Sequence, residues 1–211
     1  SNLKNIYTLS NYSELTLPEL SNLDSSWLDD FCRNHRQIKT PIEIYKIRES
    51  STLVSQTIWK ICKGLPIKKY KTCAPLVKKL HQTCPLQKIA YRTICSTGQN
   101  ITELHYPKYD STIHANSLIL LDMGFKYEGY CCDITRMIPK SGKFTANQKI
   151  LYQIVLDIQE DIIKKLKPGI SFKTLESDCY LELFVQLKKI NLVIGNNLSN
   201  SQKIDFIKGN I

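Results

Sequence analysis

The stretch Leu118–Pro139, LILLDMGFKYEGYCCDITRMIP, decides how this 211-residue chain is read. Its flanks have strand composition, with Leu118, Ile119, Leu120 and Leu121 on one side and Tyr130, Ile134, Met137 and Ile138 on the other. Between them lies Lys126-Tyr127-Glu128-Gly129, and the pattern predicts an antiparallel hairpin. A loop at Tyr127-Glu128, or the four residues centred on it, pairs Lys126 with Gly129, Phe125 with Tyr130 and therefore Asp122 with Asp133. Opposed residues of such a ladder have Cβ atoms roughly 4.5–5.5 Å apart, and like charges so placed repel. Inside an apolar strand they would also be poorly solvated. Either one carboxylate takes up a proton or a cation sits between the two. A hard divalent ion with oxygen ligands is the natural occupant, and two such ions can share the pair. The competing reading is a slipped hairpin with one aspartate at a solvent-facing strand end.

Outward from the hairpin, the order of elements is helix, helix, strand, then the hairpin, then helix, helix. Upstream, Ile42, Ile44, Tyr45, Ile47, Leu53, Val54, Ile58, Trp59 and Ile61 predict an amphipathic helix, with Thr40 as N-cap, Pro41 at its first position and Gly64 past its end. A shorter helix is expected over Ala74–His81, then a strand over Ala90–Cys95 and a turn at Gly98-Gln99-Asn100. Downstream, Thr145 and Gln148 form a capping box before apolar positions Leu151, Ile154, Val155, Ile158, Ile162 and Leu166, and Pro168-Gly169 stops that helix. A further helix is expected over Phe172–Lys189, with Leu175, Cys179, Leu183, Phe184 and Leu187 inward, and the last twenty residues read as loop. Residues 1–36, with short apolar patches between Ser, Asn and Pro, read as the tail of a preceding domain and a linker. The order of elements indicates an α+β layer, an antiparallel sheet with helices on one face.

Composition narrows the function classes. Apolar residues make up 42% and charged residues 23%, ordinary values for a globular protein. No apolar run approaches the roughly 18 residues that a membrane span needs, and no secretory signal is seen. The net charge of +10 raises nucleic acid as a partner, but the lysines are scattered and no zinc-finger or aromatic-basic motif accompanies them, so nucleic acid is not the expected ligand. Of eight cysteines, Cys62, Cys73, Cys84 and Cys95 recur at intervals of eleven, yet prolines interrupt any helix that would align them and no C-x-x-C pair occurs. They read as reduced, mostly buried thiols of a cytoplasmic protein.

The blocks RQIKTPIEIYKIR, ICSTGQNITELHY, LLDMGFKYEGYCCDITRMIP, GKFTANQKILYQIVL and LKPGISF, in that order from Arg36 to Gly195, resemble the pita-bread metallopeptidases, in particular the aminopeptidase P and prolidase branch that cleaves Xaa-Pro bonds. The resemblance implies that 37–211 is the first part of a pita-bread (creatinase/aminopeptidase-like) catalytic domain. It implies two divalent ions, manganese first with cobalt or zinc as alternatives, held by two hairpin aspartates and by a histidine and two glutamates further along. Asp122 and Asp133 match the two aspartates, Asp133 bridging the ions, and a hydroxide between the ions would attack the scissile carbonyl. His105 matches a histidine that contacts the substrate near the scissile bond and supports the tetrahedral intermediate.

Gly98 and Asn100 shape the turn that delivers His105, and Thr135, on the same face as Asp133, would orient a carboxylate. His35, His81 and His114 match nothing and read as surface residues. The resemblance also implies a proline-containing peptide as substrate and no membrane partner. The later histidine and glutamates have no counterpart before Ile211, so the segment alone is expected to bind metal poorly and to be inactive. The alternative is a non-catalytic pita-bread module, like the histone-chaperone relatives of the family, recognising an acidic macromolecular partner. A half-domain would leave sheet edges open, which favours a homodimer.

Overall fold

A computed structural model describes residues 26–64, 67–193 and 198–210. Six helices are seen there: α1 Ser26–Gln37, α2 Pro41–Gly64, α3 Cys73–Thr83, α4 Ala146–Lys165, α5 Phe172–Lys189 and α6 Asn200–Asn210. The strands are β1 Lys88–Ile89, β2 Ile94–Thr97, β3 Leu118–Met123, β4 Phe125–Tyr127, β5 Tyr130–Cys131 and β6 Ile134–Pro139. They form two three-stranded antiparallel sheets, ordered β1-β4-β5 and β2-β3-β6, with α2 and α3 packed against them. Among the described residues no helix is long and apolar enough to cross a membrane. The reading of 1–36 as tail and linker falls mostly outside the described residues; α1, which closes that stretch, buries none of its side chains.

Capping chemistry sets where α2 starts. Glu43 Oε2 accepts from the Thr40 amide at 2.6 Å, and the Glu43 amide donates to Thr40 Oγ1 at 3.4 Å. From there Val54, Ile58 and Ile61, spaced four and three apart, turn one stripe into the core. Along α3 the same logic buries Cys73, Leu76, Val77 and Leu80. Facing them is one side of β3, where Ile119, Leu121 and Met123 are fully buried while Leu118, Leu120 and Asp122 are only partly so. Each such buried side chain contributes about 1.5–3 kcal/mol. Alternation thus explains how Asp122 interrupts an apolar run: it stands on the face of β3 turned away from that core.

The hairpin loop lies one residue later than the sequence suggests. Tyr127 pairs with Tyr130 and Lys126 with Cys131, so the two loop residues are Glu128 and Gly129, with φ of 46° and 89°. Left-handed conformation at both positions matches the twist of the flanking strands, and glycine takes the second at no steric cost. The tip is tied to α2 by Lys46 Nζ at 3.3 Å from Glu128 Oε2 and by the Tyr130 hydroxyl, which donates to Glu43 Oε1 at 2.9 Å.

The strand between β1 and the Gly98 turn is also displaced. It runs Ile94–Thr97 rather than Ala90–Cys95, and the turn is a 3-10 segment, Gly98–Thr102. Downstream, α4 begins at the reciprocal Thr145–Gln148 capping box, and α5 at Ser171, whose hydroxyl accepts from the Thr174 amide at 3.1 Å. Of the α4 positions expected to face inward only Ile158 is buried; Leu151, Val155 and Leu166 are exposed. On α5, Leu175 and Phe184 are buried, and Cys179, Leu183 and Leu187 partly so.

The final stretch is not loop alone. Ser199 and Gln202 cap each other reciprocally, at 2.8 and 3.3 Å, and α6 follows. Its Ile207 packs with Phe184 and Val193 in a second apolar cluster, so Asp205 sits on an exposed helix face. A short helix with little periodicity is held by that cluster rather than by its own propensity, which is why the sequence reading missed it.

Candidate functional site

The register of β3 against β6 places Asp122 opposite Thr135, not opposite Asp133. The same register continues into the β4–β5 pair, so Asp133, in the link between β5 and β6, falls across from Gly124. The expected opposition of the aspartates is therefore corrected by two residues, the consequence of the shifted loop. A slip of two preserves the face, because side chains alternate with a period of two. Asp122, Asp133 and Thr135 remain on one side, the two aspartates as diagonal neighbours rather than a facing pair.

Tyr91 joins the two carboxylates. Its hydroxyl stands 2.5 Å from Asp122 Oδ1 and 2.8 Å from Asp133 Oδ1. A phenol carries one proton and donates to one oxygen at a time, so the two carboxylates share a single donor. Burial, then the two hydrogen bonds, then the charges of the aspartates push the Tyr91 ionisation far above its ordinary range. At neutral pH the phenol keeps its proton and serves as a donor at the junction. Its ring crosses Gly124: a Cβ there would lie 2.6 Å from Tyr91 Cε1 and 2.1 Å from the Cys132 carbonyl oxygen. Sequence reasoning missed Tyr91 because it read Ala90–Cys95 as continuous strand. The available signal was Gly124 itself, a glycine inside an apolar strand pattern, which marks a close approach.

Around this junction is a cavity of about 410 Å³ lined by Tyr91, Arg92, Thr93, Ile94, His105, Tyr106, Pro107, Asp122 and Asp133. His105, exposed, thus shares a cavity with both aspartates, from which it is distant in sequence. Its loop is shaped at both ends. Gly98 has φ of 62°, a conformation that suits glycine, and Asn100 Nδ2 donates to the buried Ser111 hydroxyl at 3.0 Å. Tyr106 is fixed by donating to Asp110 Oδ1 at 2.6 Å. Thr135 is exposed beside Asp122. His81, read as a surface residue, is instead half-buried, with Nε2 2.8 Å from Thr93 Oγ1, and burial lowers its pKa.

Two carboxylates converging on one hydroxyl, on a partly open face, are hard oxygen donors suited to a divalent cation. Among the described residues no group of three or more His, Cys, Asp and Glu side chains that could hold a metal ion comes together.

Residues 46–182 match Metallopeptidase family M24, and the chain belongs to that family. A probable Xaa-Pro aminopeptidase of Botryotinia fuckeliana is 29% identical over 178 residues, covering 83% of this chain and 32% of that protein. The mitochondrial intermediate cleaving peptidase 55 of Arabidopsis thaliana is 32% identical over 148 residues, covering 67% of this chain and 29% of its own. Zinc-substituted Escherichia coli aminopeptidase P in complex with product superposes with a TM-score of 0.69 at 25% identity, over 83% of this chain and 39% of that one. The fold is the mixed helix and antiparallel-sheet architecture of the pita-bread aminopeptidases. The chain spans about a third of the length of the curated relatives it matches.

Proposed function

We propose that this chain is the first part of the catalytic domain of an Xaa-Pro exopeptidase, with 1–36 belonging to a preceding domain and linker and 37–211 to the domain itself. The observation that carries the reading is the Asp122–Tyr91–Asp133 junction in one cavity with His105. A structural pair of acidic side chains has no need to converge on one buried-side phenol, whereas a cation site does. Asp122 and Asp133 would hold two divalent ions, manganese first, with further donors contributed from outside these 211 residues. Bound there, the ions would supply Lewis-acid activation of water and of the scissile carbonyl.

The chain's own residues do the rest. Tyr91 keeps the two carboxylates oriented toward the same point, its hydroxyl donating to one or the other. His105, across the cavity, donates to the carbonyl oxygen of a bound proline-containing peptide as that oxygen gains charge. Thr135 limits the rotation of the Asp122 carboxylate, and the Gly98–Asn100 turn sets the reach of His105. Two carboxylates alone rarely make a tight site, so the 211 residues by themselves bind metal weakly and do not turn over substrate. All eight cysteines are unpaired, which fits the reducing cytoplasm.

The test is release of the N-terminal residue from an Xaa-Pro peptide by the full-length protein with and without manganese. Activity should require the metal and fall at least about a hundredfold in Asp133→Asn. Manganese-independent hydrolysis, or an Asp133→Asn variant as active as the parent, would refute the assignment. Absence of any hydrolysis together with capture of an acidic protein by both Asp122→Asn and the parent would instead establish the non-catalytic module.

A further inference from the structure

Residues 90–93 carry the site tyrosine without any ladder to hold them. β1 ends at Ile89 and β2 begins at Ile94, and the two strands belong to different sheets. The intervening segment crosses from one sheet to the other. Its first anchor is the Ala90 amide, which donates to the Gly124 carbonyl at 2.9 Å. Its last is Thr93, only 1% exposed and held at its carbonyl and its hydroxyl. The Thr93 carbonyl accepts from the Tyr109 hydroxyl at 2.5 Å, and the Thr93 hydroxyl lies 2.8 Å from His81 Nε2.

His81 is well placed for this. It sits in the last turn of α3, a helix anchored in the core through Cys73, Leu76, Val77 and Leu80, and its ring stands edge-on to Phe125 with centroids 5.6 Å apart. Phe125 begins β4, next to Gly124, over which the Tyr91 ring crosses. The imidazole therefore bridges the rigid helix layer to the crossing segment at the level of the carboxylate junction. A buried threonine hydroxyl deprived of its partner is costly, so losing the imidazole drives Thr93 to move until it finds another. A shift of the crossing segment by about half an ångström would take the Tyr91 contacts, now 2.5 and 2.8 Å, to or past the roughly 3.0 Å limit of the O–H···O range.

We propose that His81 is a positioning residue for this site: acting through Thr93, it fixes the crossing segment so that the Tyr91 hydroxyl stands between Asp122 and Asp133. Its consequence for metal affinity rests on the function proposed above; its consequence for Tyr91 does not.

The experiment uses the full-length protein labelled with 13C at the tyrosine Cζ carbons and free of metal, with the Tyr91 signal assigned by its loss in Tyr91→Phe. At one fixed neutral pH the Tyr91 Cζ shift, which responds to the hydrogen bonds of its hydroxyl, should move away from the parent value in His81→Ala and Thr93→Val as the contacts with Asp122 and Asp133 lengthen. His81→Gln, which returns an amide nitrogen to a similar reach, should behave as the parent. Manganese affinity should fall about tenfold in the first two variants and recover in the third.

A Tyr91 Cζ shift unchanged from the parent in folded His81→Ala or Thr93→Val would overturn the inference, as would failure of His81→Gln to restore it. Thr93→Val preserves side-chain volume, so it decides the matter if His81→Ala does not fold. If the parent binds no manganese, the metal reading fails while the Tyr91 Cζ shift still decides the role of His81.

Discussion

Replacing Gly124 by alanine tests the packing that brings Tyr91 to the carboxylates. The added Cβ would stand 2.1 Å from the Cys132 carbonyl oxygen and 2.6 Å from Tyr91 Cε1, where ordinary contact begins at 3.4 Å. The carbonyl oxygen belongs to the backbone beside Asp133 and cannot rotate away, so the hairpin strands must separate locally by about 1 Å. Overpacking of this kind costs about 1–3 kcal/mol, and a fixed backbone neighbour argues for the upper end. Displacing the Tyr91 ring also forfeits a hydrogen bond to a carboxylate, which contributes about 1 kcal/mol once partial exposure is allowed for. The expected loss is therefore about 3–4 kcal/mol. In urea, with a slope of about 2 kcal/mol/M, the unfolding midpoint should fall by about 1.5–2 M, and manganese affinity should fall with it because Asp133 moves. Gly142→Ala is the control: nothing lies within 4 Å of its added Cβ, so it carries only the strain of a φ of 77°, about 1 kcal/mol. A Gly124→Ala protein unfolding within about 0.3 M of the parent would show that Tyr91 and the Cys132 carbonyl do not enclose this glycine.

Other expectations concern the helix termini. The backbone amide of Thr40 first, then the hydroxyls of Thr40 and Tyr130, hold the Glu43 carboxyl below its usual value. A group whose folded pKa is depressed gives stability that is present above its unfolded pKa and lost as pH falls through the folded one. Amide protection at the start of α2 should therefore weaken on acidification below about pH 4, and Glu43→Gln should flatten that dependence in hydrogen exchange. At the other end of the chain, Ser199→Ala removes the α6 cap and should lower stability by about 1 kcal/mol in denaturant titration, while Ser201→Ala, at the second residue of the helix, should leave it nearly unchanged.

Local chemistry was legible in the sequence. Thr40-Pro41, Thr145 with Gln148, and the apolar spacings of α2 and α3 identify helix starts and buried faces because caps and periodicity act within a turn or two of chain. The alternation in Leu118–Met123 likewise marks a half-buried strand, and parity alone puts Asp122 and Asp133 on one face whichever residue begins the loop. The register itself was not legible. Glu128-Gly129 and Tyr127-Glu128 are both acceptable loops by composition, and the choice between them was made by the twist of the strands and the fastening of the tip to Lys46 and Glu43 of α2. Only the tertiary structure places Tyr91 between two aspartates 31 and 42 positions away, with His81 and Thr93 behind it. Those contacts join a helix, a crossing segment and a hairpin, and no short-range propensity encodes the distance between elements that meet only when the core closes.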